Sequence, residues 1–155
     1  MNSSGRKIIA RNRKASHEYF LEETFEAGIV LTGTEIKSVR NNQLNLSDGF
    51  VEDRDGELWL MNVHITPYKQ ASRFDQLDPM RPRKLLMHKR EIAKLLTRLR
   101  ERGYTVVPTM IYLTRGMAKV EIALAKGKKQ YDKRESISKR DASREIERAL
   151  KERNS

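Results

Sequence analysis

Residues 49–65 read GFVEDRDGELWLMNVHI, and this stretch decides the fold class. Two strand-like runs flank Asp55-Gly56, a pair suited to the tight two-residue turn between antiparallel strands. After the turn, Trp59, Met61, Val63 and Ile65 recur at every second position. That is the period of a strand with one buried face, and it places Trp59 in the core. A second hairpin has the same form. Residues 105–113 (TVVPTMIYL) lead through Arg115-Gly116 into 117–125 (MAKVEIALA), where Val120, Ile122 and Leu124 alternate with Lys119 and Glu121. A further strand lies within 17–31 (HEYFLEETFEAGIVL), with Tyr19 and Leu21, then Phe25, Ala27, Ile29 and Leu31, at alternate positions.

Between these strands the period changes. Ile92, Leu95, Leu96 and Leu99 stand at helical spacing, the pattern of an apolar stripe, and Gly103 sits where a left-handed C-cap belongs. In Thr34 to Asn42 (TEIKSVRNN), Ile36 and Val39 are three apart and Lys37 lies beside Arg40. That spacing predicts a short helix closed by Asn41-Asn42. Residues 83–88 read as a short extended segment. Pro67, Pro79 and Pro82 make 68–82 a loop. The body is therefore mainly β. Five or six short antiparallel strands with two or three inserted helices suit a small closed or nearly closed barrel.

Composition separates this body from its ends. The chain has 155 residues, no cysteine and a formal charge of +11. Residues 1–14 hold five basic groups and no acid, and 126–155 hold 11 basic against 6 acidic. The stretch between carries 16 basic and 15 acidic groups. The expected organisation is a flexible basic N-terminal segment (1–14), a barrel domain (15–125) and a basic C-terminal tail (126–155). Cations on mobile arms suit a polyanion, because each phosphate neutralised releases condensed counterions. The absence of cysteine excludes disulfides. No run approaches the roughly 20 apolar residues of a membrane span, and no apolar leader is visible. A soluble, cytoplasmic protein is the expectation.

Enzyme signatures are missing. His17, His64 and His88 are far apart and form a poor metal set. HEYFL at 17–21 is not a zinc-binding pattern, and no phosphate loop or nucleophile elbow occurs. Neither metal nor cofactor is expected. RNA-binding features are present. Residues 81–102 hold nine basic groups against two acidic ones, and Lys84 lies in this segment. Two stretches interleave cations with rings able to stack on bases: Asn12, Arg13 and Lys14 lead into His17 and Tyr19, and Lys126, Lys128 and Lys129 lead into Tyr131, Lys133 and Arg134. A general RNA-binding barrel or a structural ribosomal protein has the same composition.

Six blocks narrow the choice: AGIVLTGTEIKSVR (27–40), NLSDGFV (45–51), HITPY (64–68), RPRKLLMHKREI (81–92), GYTVVP (103–108) and AKGKKQYDKR (125–134). In content and order they resemble the SsrA-binding protein family, also called small protein B. The resemblance implies an oligonucleotide-binding-type (OB) barrel with added helices. It also implies a non-catalytic adaptor that binds the tRNA-like domain of transfer-messenger RNA and delivers it to stalled ribosomes for trans-translation. By matching position it implies RNA contacts at Asn12, Arg13, Lys14, His17, Glu26 and Leu86. Charge adds Lys37, Arg40 and Lys84 as further RNA-binding candidates. The resemblance assigns Gly127, Lys128, Lys129, Asp132, Lys133 and Arg134 to a tail that acts near the decoding centre and becomes helical in the empty message channel, and the interleaved charge adds Lys126 and Tyr131 to that tail site. Tyr131 stands where members often carry histidine, and either ring can stack on a base.

Overall fold

The computed structural model describes residues 5–68 and 78–128. Nine strands and three helices are found along these residues. Seven strands form one antiparallel sheet, ordered β1-β8-β9-β2-β7-β5-β4. They are β1 (Arg6–Arg11), β2 (Tyr19–Ile29), β4 (Phe50–Arg54), β5 (Glu57–Met61), β7 (Arg83–Leu86), β8 (Tyr104–Thr114) and β9 (Met117–Gly127). A separate pair joins β3 (Leu44–Asn45) to β6 (His64–Ile65). The helices are α1 (Arg13–Glu18), α2 (Gly33–Arg40) and α3 (Lys89–Leu99).

Both predicted hairpins form, for the predicted reason. Asp55 and Gly56 take φ of 53° and 82°, and Arg115 and Gly116 take 51° and 77°. These left-handed pairs match the twist of the flanking strands. Arg54 faces Glu57 across the first turn, and Thr114 faces Met117 across the second. The phase of the first hairpin differs from the sequence reading. Leu58 and Leu60 point inward, and Trp59 lies half-buried on the outer face. Asn62, at φ 60°, breaks the alternation, so that Val63 and Ile65 resume the inward face. Trp59 and Val63 therefore point to opposite sides.

The sheet curls round a core of Phe25, Ala27, Ile29, Val51, Leu58, Leu60, Leu85, Val106, Ile111, Val120, Ile122 and Leu124. Leu95 of α3, wholly buried, belongs to the same core. Its helix carries the predicted stripe, with Ile92, Leu96 and Leu99 packed against the core. The barrel is not closed by hydrogen bonds, since β1 and β4 are the two ends of the strand order. Side chains close the seam instead. A Cβ placed on Gly49 would lie 2.8 Å from Pro108 Cγ of β8 and 2.7 Å from Val63 Cγ2, so only glycine lets the chain before β4 approach β8. Pro108 itself sits at a register shift in β8, where a strand residue without an N–H is tolerated.

The flexible segment expected over 1–14 is corrected over most of its length. Arg6–Arg11 is a strand paired with β8, with a register shift between Ile8 and Ala10. Ile9 and Ala10 pack against the core, and α1 follows directly. Apolar contact and β8's free edge outweigh the charge that made the segment read as loose. The other limit moves too, because β9 runs to Gly127, opposite Tyr19, and not only to 125. Residues 129–155, which hold most of the expected tail, and 69–77 of the expected loop lie outside the described residues.

Candidate nucleic-acid interface

Alternation gives β9 two faces. Ala118, Val120, Ile122 and Leu124 face the core, so Lys119, Glu121, Ala123 and Ala125 face outward. Register extends this outer face across the sheet. Glu121 lies opposite Glu26, and Lys119 opposite Gly28 on β2. Gly28 in turn lies opposite Leu86 on β7. Leu86 is 53 % exposed, a large apolar side chain left in solvent. Lys84, two residues earlier on the same face, is bridged to Glu57 at 2.5 Å. Three predicted positions, Glu26, Lys84 and Leu86, thus share one surface.

At one end of that surface sits α1. Ala15 packs with Val107, Ala125 and Tyr19, so the helix covers the outward side of β8 and β9. Its exposed residues include Arg13, Lys14 and His17. Lys14 donates to Asp48 at 2.9 Å and lies 3.9 Å from Glu18. The Asp48 carboxylate holds the Lys14 ammonium above its ordinary pKa. Asn12 is placed differently from a surface contact. It is 7 % exposed, and its amide donates to Leu46 O at 3.1 Å and Pro108 O at 2.8 Å. Its Oδ1 accepts from Ala15 N as the N-cap of α1. Asn12 therefore pins the open seam and aims the helix that bears Arg13, Lys14 and His17.

Lys37 and Arg40 occupy another place. Both are exposed on α2, which Ser38 ties to Thr66 O beyond β6 at 2.6 Å. Lys37 lies 5.2 Å from the Tyr68 ring. They are not on the elements that carry Glu26 and Leu86. Among the tail positions, Lys126 lies 4.9 Å from the Tyr104 ring, and Gly127 ends β9. Lys128 Nζ donates to Ser16 O at 3.0 Å and lies 5.2 Å from the Phe20 ring. The root of the tail is thereby fastened beside α1. Lys129, Tyr131, Asp132, Lys133 and Arg134 lie outside the described residues.

The basic run 81–102 is less free than its composition implies. Arg81 and Arg83 both grip Glu35, at 2.5 and 2.9 Å. Lys94 pairs with Glu23 at 2.8 Å and Arg98 with Glu22 at 3.5 Å. The acids come from β2 and α2, far away in sequence, where local pair counting does not find them. Glu35 also closes a capping box with Thr32 at the start of α2. Burial alone raises its pKa. Hydrogen bonds from Arg81, the Thr32 backbone and Arg83 override this and hold it below the usual carboxylate value.

Two outward groups escaped the sequence reading of the site. Tyr112 is 1 % exposed, with the Arg6 guanidinium 3.9 Å from its ring centroid, and its hydroxyl donates to Glu26. Thr109 Oγ1 donates to Glu121 Oε2 at 2.5 Å. The signal was the outward phase of Glu121 along β9, visible once its register with Glu26 is known. Among the described residues no cluster of three or more acidic, histidine or cysteine side chains could hold a metal. No helix among them is long and apolar enough to cross a membrane.

This outer sheet face, with a basic helix at one end, can be set beside known proteins. The family model for SmpB protein matches residues 9–152. The SsrA-binding protein of Geobacillus kaustophilus (strain HTA426) is 57 % identical over 147 residues, covering 95 % of this chain and 94 % of that protein. The SsrA-binding protein of Halothermothrix orenii is 56 % identical over 153 residues, covering 99 % and 98 %. A solved structure described as "tmRNA-SmpB: a journey to the center of the bacterial ribosome" aligns with a TM-score of 0.66 and 47 % identity, covering 77 % of this chain and 83 % of the other. Similarity of that extent over nearly the whole length leaves one conclusion: the chain belongs to the SmpB family.

Proposed function

We propose that this chain is a non-catalytic cytoplasmic adaptor. It binds the tRNA-like domain of transfer-messenger RNA and carries it to stalled ribosomes for trans-translation. The observation that carries the reading is the outer sheet face joined to family membership. Leu86 stands exposed beside Gly28, Glu26 lies two residues from that glycine, and α1 presents Arg13, Lys14 and His17 at the end of the same face. An exposed leucine next to polar groups suits the apolar flank of an unstacked base or a ribose. Exposed cations at the rim supply phosphate contacts.

The body and the C-terminal tail act separately in this reading. The body from β1 to β9 captures the RNA. Residues beyond Lys128 act on the ribosome, near the decoding centre and in the empty message channel, through Lys129, Tyr131, Asp132, Lys133 and Arg134. Lys126, Gly127 and Lys128 set where that extension leaves the sheet. Lys37 and Arg40 on α2 form a second basic surface available to ribosomal RNA once the sheet face is occupied.

Sequencing the RNA that co-purifies with the protein from its host tests this reading. One dominant species with a tRNA-like end is expected, and bulk tRNA competes poorly for it. A broad RNA population displaced by bulk tRNA would instead establish a general RNA-binding barrel.

A further inference from the structure

Two groups of glutamates among the described residues are held differently. Glu18, Glu22, Glu23, Glu52 and Glu57 each lie against a cation, namely Lys14, Arg98, Lys94, Arg54 and Lys84. Glu26 and Glu121 do not. Neither forms a salt bridge among the described residues, and each is bonded instead to a neutral hydroxyl, Tyr112 for Glu26 and Thr109 for Glu121. The two carboxylates are also direct cross-strand partners. Like charges in that position destabilise a sheet. They stand on a surface meant for a polyanion, where each adds repulsion. A solubilising role explains neither their pairing nor their neutral partners.

The support beneath Glu26 is substantial. Tyr112 is buried, with the Arg6 guanidinium stacked over its ring. Burial, the hydrogen bond to Glu26 and the charge of that carboxylate push the Tyr112 phenol well above its ordinary pKa, so it remains a proton donor throughout the physiological range. A hydroxyl bonded to one oxygen fixes the carboxylate's orientation without cancelling its charge. The remaining lone pairs stay open as strong acceptors. An acceptor that carries a charge and has a fixed direction recognises donors that carry no phosphate.

We propose that Glu26 and Glu121 form a held pair of acceptors that reads neutral hydrogen-bond donors of the bound RNA, with Tyr112 as the positioning residue for Glu26. The donors are nucleobase amino or imino groups, or ribose 2′-hydroxyls. This inference rests on the RNA-binding reading of the outer sheet face, and assigns Glu121 and Tyr112 to it. Phosphate contacts by the neighbouring cations supply attraction, and the carboxylate pair makes that attraction selective, because a wrongly docked duplex would bring phosphate against it.

The test measures affinity of the full chain for the tRNA-like domain of transfer-messenger RNA, transcribed alone, across a range of salt. If the carboxylates only repel, Glu121→Gln tightens binding. If they accept hydrogen bonds, it weakens binding about tenfold, the factor associated with a hydrogen bond to a charged group. We expect the weakening, with an unchanged salt slope, because no counterion is released at a neutral donor. Tyr112→Phe is expected to weaken binding to a similar degree. In a Glu26→Gln background it should add nothing, since its effect passes through that carboxylate, whereas a merely structural loss would persist there. Binding by Glu121→Gln as tight as the parent's or tighter, while Glu26→Gln weakens, would overturn the proposal and leave the surface assignment standing. Tighter binding by Glu26→Gln would overturn the proposal as well, because a carboxylate that only repels still faces the RNA, whereas binding left unchanged by both Glu26→Gln and Glu121→Gln would remove the surface assignment itself. RNAs carrying single 2′-deoxy nucleotides or inosine for guanosine then identify the donor: the substitution that abolishes the difference between parent and Glu121→Gln marks it.

Discussion

Asn12 and Arg13 are adjacent, yet they act at different levels. The Asn12 amide satisfies two backbone carbonyls at the barrel seam and caps α1, while the Arg13 side chain points to solvent. Asn12→Ala removes three hydrogen bonds and leaves two carbonyls unsatisfied, so urea unfolding should show a loss of about 3 kcal/mol. Its effect on RNA binding should then follow misplacement of α1 and the cations it carries. Arg13→Ala should leave stability unaltered and make the salt dependence of RNA binding shallower by about one unit of slope. Glu35 gives a pH test at the same scale. Its pKa is depressed in the fold, so its stabilising contribution is complete above the ordinary carboxylate value of 4.5. That contribution is lost as pH falls through the lower, folded value. Glu35→Gln should flatten this acid limb in a pH series of denaturation midpoints. At neutral pH the variant should be less stable by about 3–5 kcal/mol, since Arg83, 0 % exposed, loses its counter-charge.

Among the elements, β1 is the one whose role the sequence concealed. RKIIAR carries three cations and two isoleucines, and without a partner strand its charge dominates any reading. The β8 edge turns it into part of the sheet, an effect of distant pairing that no local pattern encodes. A chain beginning at residue 12 should therefore unfold at a clearly lower urea concentration than the full chain. Equal midpoints would show that β1 adds nothing to the body. The hairpins and α3 were legible because their determinants are local: left-handed turn pairs, and an apolar stripe that needs one covered face. Trp59 was misplaced for an equally physical reason. A single left-handed residue, Asn62, shifts the alternation by one, and large apolar side chains then mark the wrong face.

At the scale of the molecule, the proposed function divides the work between the body and the residues beyond Lys128. Alanine at Lys128, Lys129, Asp132, Lys133 and Arg134 should abolish peptide tagging on stalled ribosomes while affinity for transfer-messenger RNA stays nearly unchanged. Parallel tagging and filter-binding assays check this, and an equal loss in both would join the two functions. The sequence made Glu26 and Leu86 visible only through resemblance, since an exposed glutamate and an exposed leucine are each unremarkable alone. Register between β2 and β7 puts them on one face, with Leu86 opposite Gly28 and Glu26 two residues along. Composition likewise overstated the freedom of the cations in 81–102, four of which find acids on β2 or α2.

The pairing of β1 with β8 also governs how the chain is made. Arg6 leaves the ribosome early, and its partner Thr114 emerges only after most of the polypeptide has been synthesised. The first strand must wait, and until then the barrel lacks one border while the nascent chain is still tethered. A message truncated before the codons for β8 would yield a fragment whose opening strand has nowhere to dock. Such a fragment would be a ready target for proteolysis.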